Sequence, residues 1–219
     1  QQFKQEMQLL ADLKHPGVVP ILDGNITDKG QPWLVLEYID GLHIDSYCIE
    51  NHLDIKNTVQ LIINLCDTLD FIHQRKNIHK DIKPSNVLIK NINGVPYPIL
   101  IDFGIAMDSK KNTSEMVFGT FGYSSPEQLE NKAIDNRTDI YSLGVLMLKL
   151  LYGNEFDLVK AEKNFTKYIN DSSISKDLKA VIANCIQHSS NKRYQSTTAL
   201  RNDLNNWLLG YPISSNSHK

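Results

Sequence analysis

Hydrophobic residues recur at helical spacing near the start of the chain, at Phe3, Met7, Leu10 and Leu13, and His15-Pro16-Gly17 ends that run. The pattern predicts an amphipathic helix followed by two strands, Val18 to Leu22 and Trp33 to Leu36, joined by a polar turn containing Gly24 and Gly30. The two strands read as a hairpin. After Glu37-Tyr38-Ile39-Asp40-Gly41 the character changes: Asp54 stands where a cap belongs, and Val59, Ile62, Ile63, Cys66, Leu69 and Ile72 line one face of a long helix. Val87 to Ile89 and Ile99 to Ile101 form a second pair of short strands around Asn93-Gly94. Thr138 to Tyr152 is apolar nearly all round and stops at Gly153, as expected of a helix buried on every side. Helices near Lys176 to Gln187 and Thr197 to Leu209 follow, and the polar stretch 210–219 reads as a tail or linker. No internal repeat or low-complexity tract is visible.

The second strand pair is bracketed by the region with chemistry: His79-Lys80-Asp81-Ile82-Lys83-Pro84-Ser85-Asn86 before it, then Ile101-Asp102-Phe103-Gly104 at its end. A lone Asp in a loop is most often a turn former or cap. The ordered set is different, because an acid, a Lys two residues on, an Asn five on and a second acid before Phe-Gly is the layout that phosphoryl transfer from Mg-nucleotide requires. That reaction needs an acceptor hydroxyl held in line with the γ-phosphate and a carboxylate to orient it and take its proton. Asp81 is the candidate for that carboxylate. Lys83 would stabilise charge on the moving group, a placement that favours Ser or Thr over Tyr as acceptor. Asn86 and Asp102 supply the hard oxygens that Mg²⁺ prefers. His79 is assigned packing and loop support.

The chain resembles the protein kinase superfamily, specifically the bacterial eukaryotic-like Ser/Thr kinases, from Phe3 to about Leu209. Phe3-Lys4-Gln5-Glu6 with Leu13-Lys14-His15-Pro16 is similar to the family's small-lobe helix, with Glu6 where the family pairs a strand lysine. Leu36-Glu37-Tyr38-Ile39 resembles the gatekeeper and hinge; the resemblance implies adenine bonded by the backbone at Glu37 and Ile39 and seated on Leu88. Gly119-Thr120 through Pro126-Glu127-Gln128 resembles the end of the activation segment, the Gln being typical of bacterial members. By the same resemblance Thr120 would touch Asp81 and Lys83, Glu127 would pair with Arg193, Asp139 would anchor the catalytic loop, and Phe103 and Gly104 would complete the second acidic motif.

The resemblance implies an α+β, kinase-like bilobal fold with a complete, mainly helical C-lobe and a partial N-lobe of one helix and two strands. Its expected divisions are 1–36 for the partial N-lobe, 37–41 for the hinge, 42–209 for the C-lobe and 210–219 for the tail. ATP and Mg²⁺ are the implied cofactors and a protein Ser/Thr hydroxyl the implied acceptor. This sequence carries no glycine-rich strand pair or strand lysine ahead of Phe3, and Lys80 stands where the family commonly has Arg. An Arg fork can hold a phosphorylated loop bidentately, whereas Lys offers a point charge; Thr113 and Ser114 are the candidate phosphorylation sites, with plain loop residues the stronger reading. Turnover by the 219 residues alone is expected to be feeble. A pseudokinase or truncated remnant acting as a binding module is the rival reading, and a small-molecule kinase is disfavoured by the segment resembling a protein-substrate platform.

Composition adds limits. With 41% hydrophobic residues and a net charge of -2, the chain has material for a core and no basic excess to attract nucleic acid. The longest apolar run, Leu143 to Tyr152, is interrupted by Lys149 and falls short of the ~20 residues a membrane span takes. Cys48, Cys66 and Cys185 sit in apolar helical patterns and read as reduced core thiols, which points to the cytoplasm, with any membrane tether outside this sequence. The chain opens on Gln1 and its first Met is Met7, inside a predicted helix, so a fragment of a longer protein is expected.

Overall fold

The computed structural model describes residues 13–102, 122–157, 165, 168 and 173–216. The expected first helix with Glu6, and Phe103, Gly104, Thr113, Ser114 and Thr120, lie outside the described residues. In chain order the strands are β1 (Ile21–Ile26), β2 (Pro32–Leu36), β3 (Leu42–His43), β4 (Val87–Ile92) and β5 (Val95–Leu100). The helices are α1 (Ile44–Glu50), α2 (Ile55–Gln74), α3 (Pro126–Leu129), α4 (Arg137–Tyr152), α5 (Lys176–Cys185) and α6 (Thr197–Leu209). The fold is thus α+β, small antiparallel sheets beside a helical body.

β1 and β2 form the first hairpin, but its turn is not where the sequence pattern puts it. Gly24 pairs with Leu34 inside the ladder, and the reversal falls at Thr27 to Gln31, where Gly30 takes φ +78°. The polar run Asp23-Gly24-Asn25 looks like a turn, yet Asp23 Oδ1 and Asn25 Oδ1 accept the next backbone N–H, at 2.8 and 2.9 Å, and so serve an exposed strand. A register shift between Ile21 and Asp23 leaves Leu22 bulged outward.

The second sheet has the order β3-β4-β5, all antiparallel. Asn93 and Gly94 link β4 to β5 with φ +53° and +86°, the left-handed pair that a tight two-residue hairpin demands, and Asn91 Oδ1 accepts the Gly94 N–H at 2.7 Å. β5 runs from Val95, earlier than the expected Ile99, and carries Pro96 and Pro98, which suits an edge strand.

The two sheets are stitched by the segment after His15. Val19 N–H donates to Leu100 O and Leu100 N–H to Gly17 O, both at 2.9 Å. Gly17 comes so close to α2 that a Cβ there would stand 2.0 Å from Thr68 Oγ1. Beside it the His15 and Phe71 rings lie 4.8 Å apart.

α2 begins at Asp54, whose Oδ1 accepts the Asn57 N–H at 2.7 Å, and buries Val59, Ile62, Ile63, Cys66, Leu69 and Ile72. α4 is buried on almost every side and ends at Gly153 with φ +53°. Ser175 and Ser196 cap α5 and α6 through Leu178 and Ala199 N–H. These helices share one apolar core; burial pushes the Cys48 thiol up to about 11, and pushes those of Cys66 and Cys185 up as well, so all three stay protonated core residues. The stretch after α6 is not a free tail as far as it is described: Ile213 is buried, and Ser214 and Ser215 N–H donate to the Asp203 carboxylate at 2.8 and 3.0 Å.

Candidate active site

The loop from His79 to Asn86 closes on itself. Pro84 opens a single 3₁₀ turn, Pro84–Asn86, with its φ already fixed, and Asn86 N–H reaches Lys83 O at 3.1 Å. That turn brings Asn86 back under Asp81. Asn86 Nδ2 donates to Asp81 O at 2.8 Å and to Asp81 Oδ2 at 2.9 Å. The Lys83 ammonium meets the same Oδ2 at 2.7 Å, with both side chains largely shielded from solvent. Asp81, Lys83 and Asn86 are therefore one hydrogen-bonded group. Because its nitrogen is committed to Asp81, the Asn86 amide is oriented and its Oδ1 remains as an acceptor.

Asp102 is exposed and follows directly on a bond from Ile101 N–H to Asn86 O, 3.1 Å. Asn86, just before β4, and Asp102, just after β5, thus offer neutral and anionic oxygens, a donor set suited to a hard cation such as Mg²⁺. Among the described residues no cluster of three or more His, Cys, Asp or Glu side chains could hold a metal by itself. The other ligands of an Mg²⁺ here would be phosphate oxygens and water, which is how that ion is usually held.

The hinge side is apolar. Val19, Ile39 and Ile99 form a small buried cluster, with Leu88 and Ile101 packed on it. Glu37 N–H is taken by Pro20 O at 2.9 Å, so the backbone group that Glu37 can still offer to a ligand is its carbonyl.

The loop is held from beneath by α4. Asp139, wholly buried, accepts three bonds: His73 Nε2 at 2.7 Å and His79 N–H at 2.9 Å on Oδ2, and Lys80 N–H at 2.8 Å on Oδ1. Burial pushes the Asp139 carboxyl upward, but the hydrogen bond and charge of His73 and the His79 N–H outweigh it and hold it below the ordinary carboxylate range. Burial lowers His79 in spite of Asp139, Asp81 and Asp102 around it, which keeps that ring neutral at pH 7. Lys80 takes φ +70°, a value that costs energy for any residue with a Cβ and that its surroundings hold in place.

A second polar group sits at α3. Arg193 spans the Glu127 carboxylate with two bonds, 2.6 and 2.7 Å, and its remaining donors go to the carbonyls of Gln187, Arg137 and His188. Thr138 Oγ1 adds a bond to Glu127 at 2.9 Å. Burial alone would raise the Glu127 carboxyl; Arg193 and Thr138 reverse that and bring it below the usual range. Gln128 Nε2 reaches across to Lys80 O at 2.8 Å.

His73 and the Gln128 to Lys80 bond were not foreseen from sequence. His73 is one polar residue at the end of an apolar helical face, and nothing local marks its partner 66 residues away.

A family model for the protein kinase domain matches residues 1–204. The chain belongs to the protein kinase domain family. This kinase domain is 32% identical over 222 residues to the serine/threonine-protein kinase PknB of Mycobacterium tuberculosis, covering 92% of the chain and 35% of that protein. It is 31% identical to PknB of Mycobacterium leprae, over 96% of the chain and 36% of the relative. A probable serine/threonine-protein kinase of Streptomyces coelicolor is 29% identical, over 97% and 34%. The kinase domain spans about a third of the length of these curated relatives. Among its described residues, no helix is long and apolar enough to cross a membrane.

Proposed function

We propose that the chain is the catalytic domain of an ATP-dependent protein serine/threonine kinase, with Asp81 as the group that orients the acceptor hydroxyl and takes its proton. The observation that carries this reading is the closed group of Asp81, Lys83 and Asn86 on a loop anchored by Asp139. Its partial burial suits a carboxylate that must work in a dry site, where charges act more strongly than in water. Lys83, 2.7 Å from Asp81, is placed to shift to a phosphoryl oxygen as negative charge moves there. Asn86 Oδ1 and the Asp102 carboxylate would hold Mg²⁺, which when bound neutralises charge across the β- and γ-phosphates. The Glu37 carbonyl and Ile39 N–H would bond adenine over Leu88. Thr120, by family resemblance, would contact Asp81 and Lys83 from the activation segment. The Ser/Thr-kinase names of the relatives support a Ser/Thr acceptor.

The test is phosphate transfer from γ-labelled ATP to a generic basic protein. It should be run with the 219 residues and with a form extended at Gln1 by about 50 residues, enough for three strands, carrying a Gly-x-Gly turn and a strand Lys. Labelled phosphoserine or phosphothreonine from the extended form is expected, and D81N should lower kcat by about 10²- to 10⁴-fold with KM for ATP nearly unchanged. No transfer by the extended form, or full turnover by D81N, refutes the assignment. Saturable ATP or protein binding without transfer would favour a pseudokinase.

A further inference from the structure

We propose that Gln128 is a positioning residue that couples the segment opening α3 to the catalytic loop, by fixing the peptide plane that leads into Asp81. The Lys80 carbonyl and the Asp81 N–H belong to one planar unit. A bond to that carbonyl therefore fixes the direction in which the chain enters the Asp81 Cα. Gln128 Nε2 supplies that bond at 2.8 Å. The other side of Lys80 is fixed independently, since its own N–H donates to Asp139 Oδ1 at 2.8 Å. Lys80 is thus clamped at both ends in a left-handed conformation, φ +70°, that an L side chain seldom adopts without such support.

Gln128 itself has no freedom to turn. It is buried, and while its nitrogen serves Lys80 its Oε1 accepts the Ser125 N–H at 2.9 Å and the Ser125 hydroxyl at 3.2 Å. One rigid amide spans two backbone segments 48 residues apart in sequence. Movement of the Ser125 to Leu129 segment would pull the Lys80 carbonyl with it. A role confined to capping α3 would need only the oxygen; the nitrogen faces the catalytic loop.

The two atoms can be separated by substitution. Q128E keeps an oxygen for Ser125 and, when ionised, sets a carboxylate oxygen against the Lys80 carbonyl. When protonated, its O–H can donate to Lys80 again. Burial raises a carboxyl's pKa, so lowering the pH favours this restoration. Q128M is close in size and loses both functions at every pH. Other ionisable groups around the loop are Lys80, Asp81, His79 and Lys83 on it, Asp139 on α4, His73 on α2, and Glu127 with Arg193 beside α3. All are common to the wild type and Q128M, which serve as controls.

The experiment measures amide exchange protection over residues 79–86, and kcat and KM for ATP with the extended form, at pH 8.5 and pH 6. Protection and kcat of Q128E are expected to fall about tenfold at pH 8.5 and to recover towards wild type as the pH is lowered to 6. Q128M should stay low at both, and KM for ATP should change less than twofold. Unchanged protection in Q128M overturns the coupling, and does so even if Q128E fails to fold. Lost protection with unchanged kcat reduces Gln128 to a structural residue and overturns the positioning role. The rate measurement rests on the kinase reading and the exchange measurement does not, so absence of transfer by every form refutes that reading while exchange still decides the coupling.

Discussion

Asp139→Asn changes one atom of the group beneath the candidate catalytic loop without changing its volume. The carboxylate accepts from His73 Nε2, His79 N–H and Lys80 N–H at 2.7, 2.9 and 2.8 Å. An amide has one accepting oxygen. Placed at the Oδ2 position, that oxygen keeps two neutral, weaker bonds, while its NH₂ faces the Lys80 N–H, donor against donor. Loss of one buried bond to a charged group costs about 1.5–3 kcal/mol, the weakening of two others adds roughly 1 kcal/mol each, and release of a buried charge returns part of this. The expected net loss is about 2–4 kcal/mol, against a total of roughly 5–15 for a domain. Urea unfolding followed by circular dichroism reads it as a lower midpoint at unchanged slope. The pH dependence gives a second check. The folded pKa of Asp139 lies below its unfolded value, so its contribution is fully present above about pH 4 and is lost as pH falls through the folded value. D139N should lack that part of the acid limb. A midpoint shift worth less than about 0.5 kcal/mol, with an acid limb like wild type's, would refute the three-bond argument.

Three further outcomes follow from the same contacts. R193M strips the buried Glu127 carboxylate of its two guanidinium bonds and should cost about 3–5 kcal/mol in urea melts. It should also reverse a slope: wild type loses the Glu127 contribution as pH drops below about 4.5, whereas in R193M burial, opposed only by the Thr138 and backbone bonds, should raise that carboxyl and stability should increase as pH falls from 7 towards 5. G17A drives a methyl to 2.0 Å from Thr68 Oγ1 and should destabilise by about 1–3 kcal/mol; the T68A background should recover part of it in a double-mutant cycle, and strict additivity would refute the contact. H73L removes a donor from Asp139 and should destabilise by about 1–3 kcal/mol, while H73Q, which retains a side-chain N–H, should cost less than half as much; equal losses would mean that packing rather than the 2.7 Å bond is what His73 provides.

What the sequence made legible was local. Helical faces repeat within a few residues, so α2 and α4 could be read from their apolar positions, and Asn93-Gly94 announces its turn because only certain residues take positive φ cheaply. The grouping of Asp81, Lys83 and Asn86 is likewise a matter of spacing within one loop. One local signal misled and one element gave none. The run Asp23-Gly24-Asn25 has turn composition but sits in a strand whose polar side chains serve its own backbone, and α1 has only Ile44 and Cys48 as buried positions and no side-chain cap, so it left no pattern to read.

The rest of the site is non-local and polar, so periodicity and spacing did not show it; the Asp139 anchor and the Glu127 to Arg193 pair were expected from family resemblance alone. Hydrophobic periodicity says which face of α4 is buried, but not that Asp139 on it accepts bonds from a loop some 60 residues earlier, nor that His73 at the end of α2 turns onto the same oxygen. The Pro126-Glu127-Gln128 run shows a short helix start, yet its three residues act in different directions: Pro126 begins the turn, Glu127 faces Arg193, and Gln128 faces Lys80. A buried polar residue is stable only with a partner, so Glu127 and Gln128 each implied a distant bond whose other end the spacing alone did not name. The positive φ of Lys80 is where those bonds meet. Asp139 and Gln128 each hold one side of it, and the group next along the chain is Asp81. A backbone strained at that position and clamped by two separate helices is a reason for the candidate catalytic loop to keep one geometry, and it makes the placement of Asp81 depend on residues that never approach it in sequence.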